Sequence, residues 1–266
     1  MILAHRAALN GVYMDELDER INIKSIEEGA GKESISAVAT AGSAGQRITG
    51  RHRDTMDVTV KFSMLIGWEE LEERESLLEK VKAWAVGGGY LTINYKNNRR
   101  LYVVCAQAPG AGDIYEWTNV YTITFRAYAL PYWEEETPVS ASTDIVASGS
   151  VSVEVNGSAE TDAEVIIDNR SGMTINTVTI TGAGKQMRFE SLGMAGGEKL
   201  VITHEIVNEK RLQKIYIQNG NTKRSVMAKR TGTSVDEFYL SPGRRTFSFS
   251  AERACRMTVN VRGRFE

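Results

Sequence analysis

Three histidines (His5, His52, His204) and two cysteines (Cys105, Cys255) are the residues that could most readily ligate a metal or serve as base or nucleophile. No two of the histidines stand at metal-ligand spacing, and neither cysteine lies near another ligand, so no metal site is expected. Gly182-Ala183-Gly184-Lys185-Gln186 invites a phosphate-loop reading, but the first glycine of that pattern would fall at Thr179. Gln186 also replaces the hydroxyl that would hold Mg²⁺, so a hairpin turn is expected instead. Asp15 to Glu19 is acidic yet lacks the ligand spacing and turn glycine of a calcium loop, and reads as solvated surface. Glu69, Glu70, Glu72 and Glu73 could suggest acid/base work, but a helix start favours carboxylates through its dipole without any catalytic role. No Ser or Cys has the sharp turn of an activated nucleophile around it. The residues thus predict no enzyme, no metal and no cofactor.

Two basic groups remain. Lys223, Arg224, Lys229, Arg230, Arg244 and Arg245 have no interleaved aromatics, which points to a solvated or docking face rather than nucleic-acid binding. Arg47, Arg51, His52 and Arg53 follow a Gly-flanked stretch, and these are the candidate site residues. They are expected to form a subunit interface by pairing with carboxylates of a neighbouring subunit.

The elements that must position these groups are mostly strands. The chain has 266 residues, 42% hydrophobic and 25% charged, with a net charge of −2, which suits a soluble globular protein of up to two domains. Net charge is −4 over residues 1–135 and +2 over 136–266, too slight an asymmetry to indicate a polyanion partner. No signal-peptide core and no membrane-spanning run is visible. The cysteines sit in strand-like runs and are expected as buried free thiols in a reducing cytoplasm.

Val58, Val60, Phe62 and Met64 alternate with polar residues, as do Tyr121, Ile123, Phe125 and Ala127, predicting half-buried antiparallel strands. Between them, Leu71, Leu78, Val81 and Ala85, extended by Trp68 and Trp84, predict one amphipathic helix over Trp68–Val86 that ends at Gly87. A hairpin turning at Lys96-Asn97-Asn98-Arg99 follows. The segment Ala41–Asp54 loses the alternation and reads as a long exposed loop. Pro131–Ser150, with Glu134, Glu135 and Glu136 in a row, reads as a linker, giving domains 1–135 and 136–266. Beyond it come short strands at Val151–Val155, Val165–Ile167, Val178–Ile180, Met187–Phe189, Leu200–Ile202, Ile215–Ile217, Phe247–Phe249 and Val259–Val261. Glycine turns separate them, predicting a β-sandwich.

This order of elements resembles the distal tail proteins of long-tailed (siphovirus-type) bacteriophages and prophages. The resemblance runs through a long loop, Asp57–Met64, the single helix, the Tyr90–Ala106 hairpin and the Asn119–Tyr128 strand. It ends in a late turn, Leu240-Ser241-Pro242-Gly243-Arg244-Arg245, feeding an alternating strand. Relatives often carry Asn where this chain has Arg245, so the cap of that turn is expected to differ. The resemblance implies a mostly β protein, with a tail-tube-like N-terminal β-sandwich or split barrel carrying one helix and a galectin-like C-terminal sandwich. It implies a homohexameric adaptor ring at the virion tail tip, made in the bacterial host cytoplasm. Its partners would be tail-tube, tail-lysin and receptor-binding or fibre proteins, with no nucleic acid and no membrane insertion. A carbohydrate-binding module for a cell-wall glycan and a tail-tube subunit are the competing readings. Against the first, the aromatics of the second half, Phe189, Tyr216, Phe238, Tyr239, Phe247, Phe249 and Phe265, mostly fall in strand patterns that suggest core.

Overall fold

The computed structural model describes residues 5–29, 31, 33–39, 46–67, 69–110, 120–232 and 237–266. It is mostly β, with a single α-helix among the described residues, and it divides after Trp133 into two compact units.

In the first unit, strands β1 (Ala7–Leu9), β2 (Val12–Tyr13), β3 (Ile21–Glu28), β4 (Glu33–Ala39), β5 (Gln46–Arg53) and β6 (Met56–Met64) precede helix α1 (Leu71–Val86). Strands β7 (Gly89–Ile93), β8 (Arg99–Gln107) and β9 (Val120–Ala127) follow it. One antiparallel sheet runs in the order β2-β1-β7-β8-β9-β6-β3, while β4 and β5 pair only with each other. Central strand β6 is registered Val58↔Phe125, Val60↔Ile123 and Phe62↔Tyr121 against β9, so these apolar residues share one face. All six are buried, each large side chain contributing about 1.5–3 kcal/mol by leaving water. On the other face Arg126 donates to both oxygens of its register partner Asp57, at 2.6 and 2.8 Å.

Helix α1 covers the apolar face. Its buried side is Arg74, Leu77, Leu78, Val81 and Ala85. The predicted stripe is therefore right at Leu78, Val81 and Ala85, while Leu71 is exposed and an arginine takes the place of its turn. Arg74 is tolerated because its Nη2 donates to the buried Tyr121 hydroxyl at 2.8 Å. Trp84 stands edge-on to Phe125, with ring centroids 5.8 Å apart, and donates Nε1 to the Val12 carbonyl at 3.0 Å. Trp68 lies outside the described residues, as do Ala41 to Gly45 and Asn119. Gly87 caps the helix in an ordinary right-handed conformation (φ −67), and the left-handed turn falls one residue later, at Gly88 (φ 58). The β7–β8 hairpin turns through Asn98, whose φ is 55.

In the second unit, β10 (Trp133–Glu135), β11 (Val139–Ile145), β12 (Ser148–Val155) and β13 (Thr161–Asn169) lead into β14 (Val178–Gly182), β15 (Lys185–Phe189), β16 (Lys199–Val207) and β17 (Lys210–Asn219). Strands β18 (Thr222–Ser225), β19 (Tyr239–Leu240), β20 (Gly243–Ala251), β21 (Cys255–Val261) and β22 (Arg264–Phe265) complete it. Two sheets, β11-β21-β13-β16-β17-β18 and β12-β20-β14-β15, enclose one core that includes Val153, Val165, Ile180, Phe189, Ile202, Phe247 and Met257. This is the expected sandwich. The Gly182–Lys185 turn closes the β14–β15 hairpin, as expected, through Ala183 and Gly184 at φ 51 and 72.

The linker reading of Pro131–Ser150 is corrected. Those residues form β10, β11 and the start of β12, and Glu134 and Glu135 are buried. Glu135 is held because its carboxylate accepts from Asn156 Nδ2 (2.8 Å) and Gly263 N (2.9 Å), while Arg262 Nη1 donates to its carbonyl at 2.8 Å. A row of glutamates looked like solvated chain only because its partners lie more than a hundred residues downstream. Cys255 is buried as expected, whereas Cys105 is only half-buried.

The helix stop gives a direct test. A Cβ on Gly88 would lie 2.7 Å from the Val103 carbonyl oxygen in a left-handed backbone, whereas one on Gly87 meets nothing within 4 Å. Gly88→Ala is expected to cost about 1–3 kcal/mol in chemical denaturation. Gly87→Ala is expected to be neutral or stabilising by up to about 1 kcal/mol. Equal effects would contradict this assignment of the cap.

Candidate interaction surface

Strands β4 and β5 are where the candidate residues lie. The loop expected over Ala41–Asp54 is corrected: from Gln46 to Arg53 the chain is strand, paired antiparallel with Glu33–Ala39. Strands β3 and β6 pair with each other down to Glu28↔Val58, and Gly29 N donates to the Asp57 carbonyl at 2.8 Å. Four residues on, Glu33 is registered with Arg53. The β4–β5 pair thus carries the β3–β6 ribbon past the sheet as a two-stranded arm, about 23 Å long at 3.3 Å per residue.

A bulge between Ser36 and Ala37 shifts the register, giving Ile35↔Arg51, Ser36↔Gly50, Ala37↔Ile48 and Val38↔Arg47. Directly opposed residues share a face. Ile35, Ala37, Ile48 and Ala39 therefore line one face, and Ser34, Ser36, Gly50 and Val38 the other. Ile35, Ile48 and Val38 are 54%, 50% and 57% exposed. A two-stranded ribbon is marginal in water by itself, and apolar residues gathered on its open face mark a surface that something covers.

The four sequence-predicted residues all lie on β5, but they are not equivalent. Arg47 is exposed near the outer end of the strand. Arg51 and His52 are registered with Ile35 and Ser34. Arg53 belongs to the root: its guanidinium carbon lies 5.0 Å from the centroid of the Tyr132 ring, and a Cβ on Gly31 would collide with it. Beside it, Ser34 Oγ donates to Asp54 Oδ2 at 2.5 Å. Arg53 thus ties the arm to its own unit. Glu28, at the same root, accepts from Trp133 Nε1 and pairs with Lys96 Nζ, both at 2.8 Å.

The sequence gave no sign of a second polar cluster, in the sandwich unit. Asp162 on β13 accepts hydrogen bonds from Arg211 and Arg264, and His204 Nδ1 lies 2.5 Å from its Oδ2. His204 Nε2 faces Glu237 Oε2 at 3.6 Å. Burial alone would raise the Asp162 pKa. The hydrogen bond with His204 and the charges of Arg264 and Arg211 outweigh it and hold the carboxyl far below its usual range. Tyr239 is pushed up to about 12 by its hydrogen bond to Glu237, then by burial. A His–Asp pair can serve catalysis, but here the His204 side chain is 5% exposed and both Asp162 oxygens are taken by arginines. The cluster pins β13, β16, β17 and β22 together.

The basic residues of the sandwich unit disperse. Arg224 donates to the Leu192 and Gly193 carbonyls, and Lys223 sits 4.5 Å over the Tyr216 ring. Arg245 caps the Ser241 and Pro242 carbonyls at 2.7 and 2.8 Å, which explains how arginine replaces a shorter cap beside Gly243. Of the aromatics, Phe189, Phe238, Phe247 and Phe249 are core. Tyr216 lines a shallow groove of about 310 Å³ with Glu164, Ile166, Lys199, Val201 and Gln218. Among the described residues, no group of three or more His, Cys, Asp or Glu is placed to hold a metal ion, and no helix is long and apolar enough to cross a membrane.

No protein-family model and no curated protein matches the sequence. Solved structures do match the fold. The Dit protein of phage SPP1, described as a paradigm of the hub adsorption apparatus in phages infecting Gram-positive bacteria, superposes with a TM-score of 0.67 at 14% identity. The match covers 98% of this chain and 99% of that one. This chain has the fold of a phage distal tail protein. A chain of the phage p2 baseplate in its activated conformation with Sr gives a TM-score of 0.51 at 8% identity over 97% of both chains. The Ca form gives 0.51 at 9% over 99% of this chain and 98% of that one. Likeness over both units means that arm, helix-covered sheet and sandwich recur as one set.

The Asp162 cluster makes stability depend on pH in a definite sense. A carboxyl with a depressed folded pKa stabilises the fold fully above its unfolded pKa of about 4, and that contribution is lost as pH falls below it. Asp162→Asn is expected to cost about 3–5 kcal/mol of unfolding free energy near pH 7 by leaving buried arginines unpaired, and less as pH drops below about 4. A gap between wild type and variant that is flat in urea titrations from pH 7 to 3 would contradict the ion-pair account.

Proposed function

We propose that this chain is a structural protein of a phage tail. In this reading six copies form a ring that joins the tail tube to the tail tip or baseplate and serves as hub for host-adhesion proteins. The observation that carries it is the fold likeness to the SPP1 hub protein across both units. Residues 1–135 would form the ring and residues 136–266 would offer outward surfaces to other tail proteins. The tail-tube, tail-lysin and receptor-binding or fibre proteins are the partners this role needs, and the site of action is the virion tail tip after synthesis in the bacterial host cytoplasm. No catalysis is required: the polar clusters described are spent on internal ion pairs and caps. Arg47, Arg51 and His52 act at the subunit boundary, with Arg53 holding the arm that presents them. The galectin-like character of the sandwich belongs to the same reading. A sugar-binding role draws little support, since the groove beside Tyr216 offers one aromatic ring, already capped by Lys223.

Native mass spectrometry with negative-stain imaging tests this. Particles of six times the 29.4 kDa chain mass with six-fold rings are expected, either alone or on mixing with tail-tube and tail-tip proteins. A chain that stays monomeric in every such mixture would overturn the proposal. Immunogold labelling of virions is expected at the distal end of the tail.

A further inference from the structure

The arm's apolar face lies open, and the same unit displays a second open surface of matching character. Between β6 and the middle of α1, Leu65 and Leu71 are exposed, and Glu69, Glu70, Glu72, Glu73, Glu75 and Glu79 are exposed with them. The one basic residue among these positions is Arg74, which is buried under the helix. Some of the carboxylates are occupied: Glu70 accepts from Gly67 N at 3.2 Å, Glu73 pairs with Arg20 at 2.7 Å and Glu79 with Lys82 at 2.8 Å. Glu72 and Glu75 make no ion pair with a described residue. Beside them runs a shallow groove of about 260 Å³ lined by Arg20, Glu72, Glu73, Ser76, Leu77 and Lys80, wide enough for a branched aliphatic side chain.

The arm is the complement of this surface: Ile35 and Ile48 share its open face, and Arg47, Arg51 and His52 are the charged residues along its outer part. Apolar with basic on one side, apolar with acidic on the other, gives both a hydrophobic contact and a charge match. Neither half is covered within the chain, so one chain carries an unfilled donor and an unfilled acceptor. An interface made of two different patches on identical chains is heterologous, and such interfaces close into rings when the rotation between copies permits.

We infer that the β4–β5 arm of one copy docks by its Ile35/Ile48 face on the Leu65–Glu79 surface of the next copy, with Arg47 and Arg51 opposite Glu72 and Glu75. This rests on the ring reading above and names its joint. Because the pairs lie at a solvent-facing rim, the joint loosens as salt rises.

Charge exchange tests it. In the full chain, R47E/R51E and, separately, E72R/E75R are expected to weaken assembly at least about tenfold in concentration, read by sedimentation velocity at low salt. The four substitutions combined in one chain are expected to restore most of it. I35S/I48S is expected to weaken assembly without altering the circular dichroism spectrum. If both charge variants assemble as the wild type does, or the combined variant stays as weak as its parents, the inference is overturned while the ring stands. If the wild type does not assemble even with tail-tube and tail-tip proteins, the ring reading falls and this joint with it.

Discussion

Strand β6 lies between β3 and β9, and its register with both sets every other feature of the first unit. Against β9 it brings Val58, Val60 and Phe62 to the face of Phe125, Ile123 and Tyr121, which α1 then covers. A slip of one residue would turn that face outward and leave the helix nothing to bury. Against β3 the same strand runs off the end of the sheet, and the ribbon it continues becomes the arm. The orientation of the arm's apolar face is therefore inherited from the packing of the core, through continuous strands and one bulge at Ser36–Ala37.

The sandwich unit meets a different constraint. Its two sheets enclose a core drawn from alternating positions, and where that core runs out a charge cluster takes over. Asp162, Arg211, Arg264 and His204 satisfy one another out of contact with water, at a desolvation cost that hydrophobic packing would not incur. Glu135 does the same at the start of the unit by accepting from Asn156 and Gly263. Both arrangements bind the C-terminal strand and the residues just before it into the sandwich.

A hub protein needs rigid bodies and presented edges rather than a cleft. The two units supply the rigid bodies, and the arm supplies an edge whose exposed isoleucines would be a liability in an isolated chain and an asset in a ring. Identity of 14% to the SPP1 hub protein beside coverage of nearly the whole chain shows how far surfaces can drift while the layered packing persists.

Much of this was legible in the sequence because it is local. Period-2 alternation marked β6, β9 and the sandwich strands, glycine and asparagine marked the turns, and a 3.6-residue stripe marked α1. These follow from where a side chain points within its own element. What only the tertiary structure decided depends on residues far apart in the chain. Arg74 replaces Leu71 on the helix underside because Tyr121, 47 residues away, accepts its guanidinium. Residues 46–53 are strand because 33–39 pair with them, although no core imposes an apolar alternation. Pro131–Ser150 reads as a linker until Gly263 and Arg262 take up Glu135. Asp162 and His204 carry no motif; they meet because β13 and β16 are neighbours in one sheet, and strand pairing is a long-range choice that no local pattern encodes.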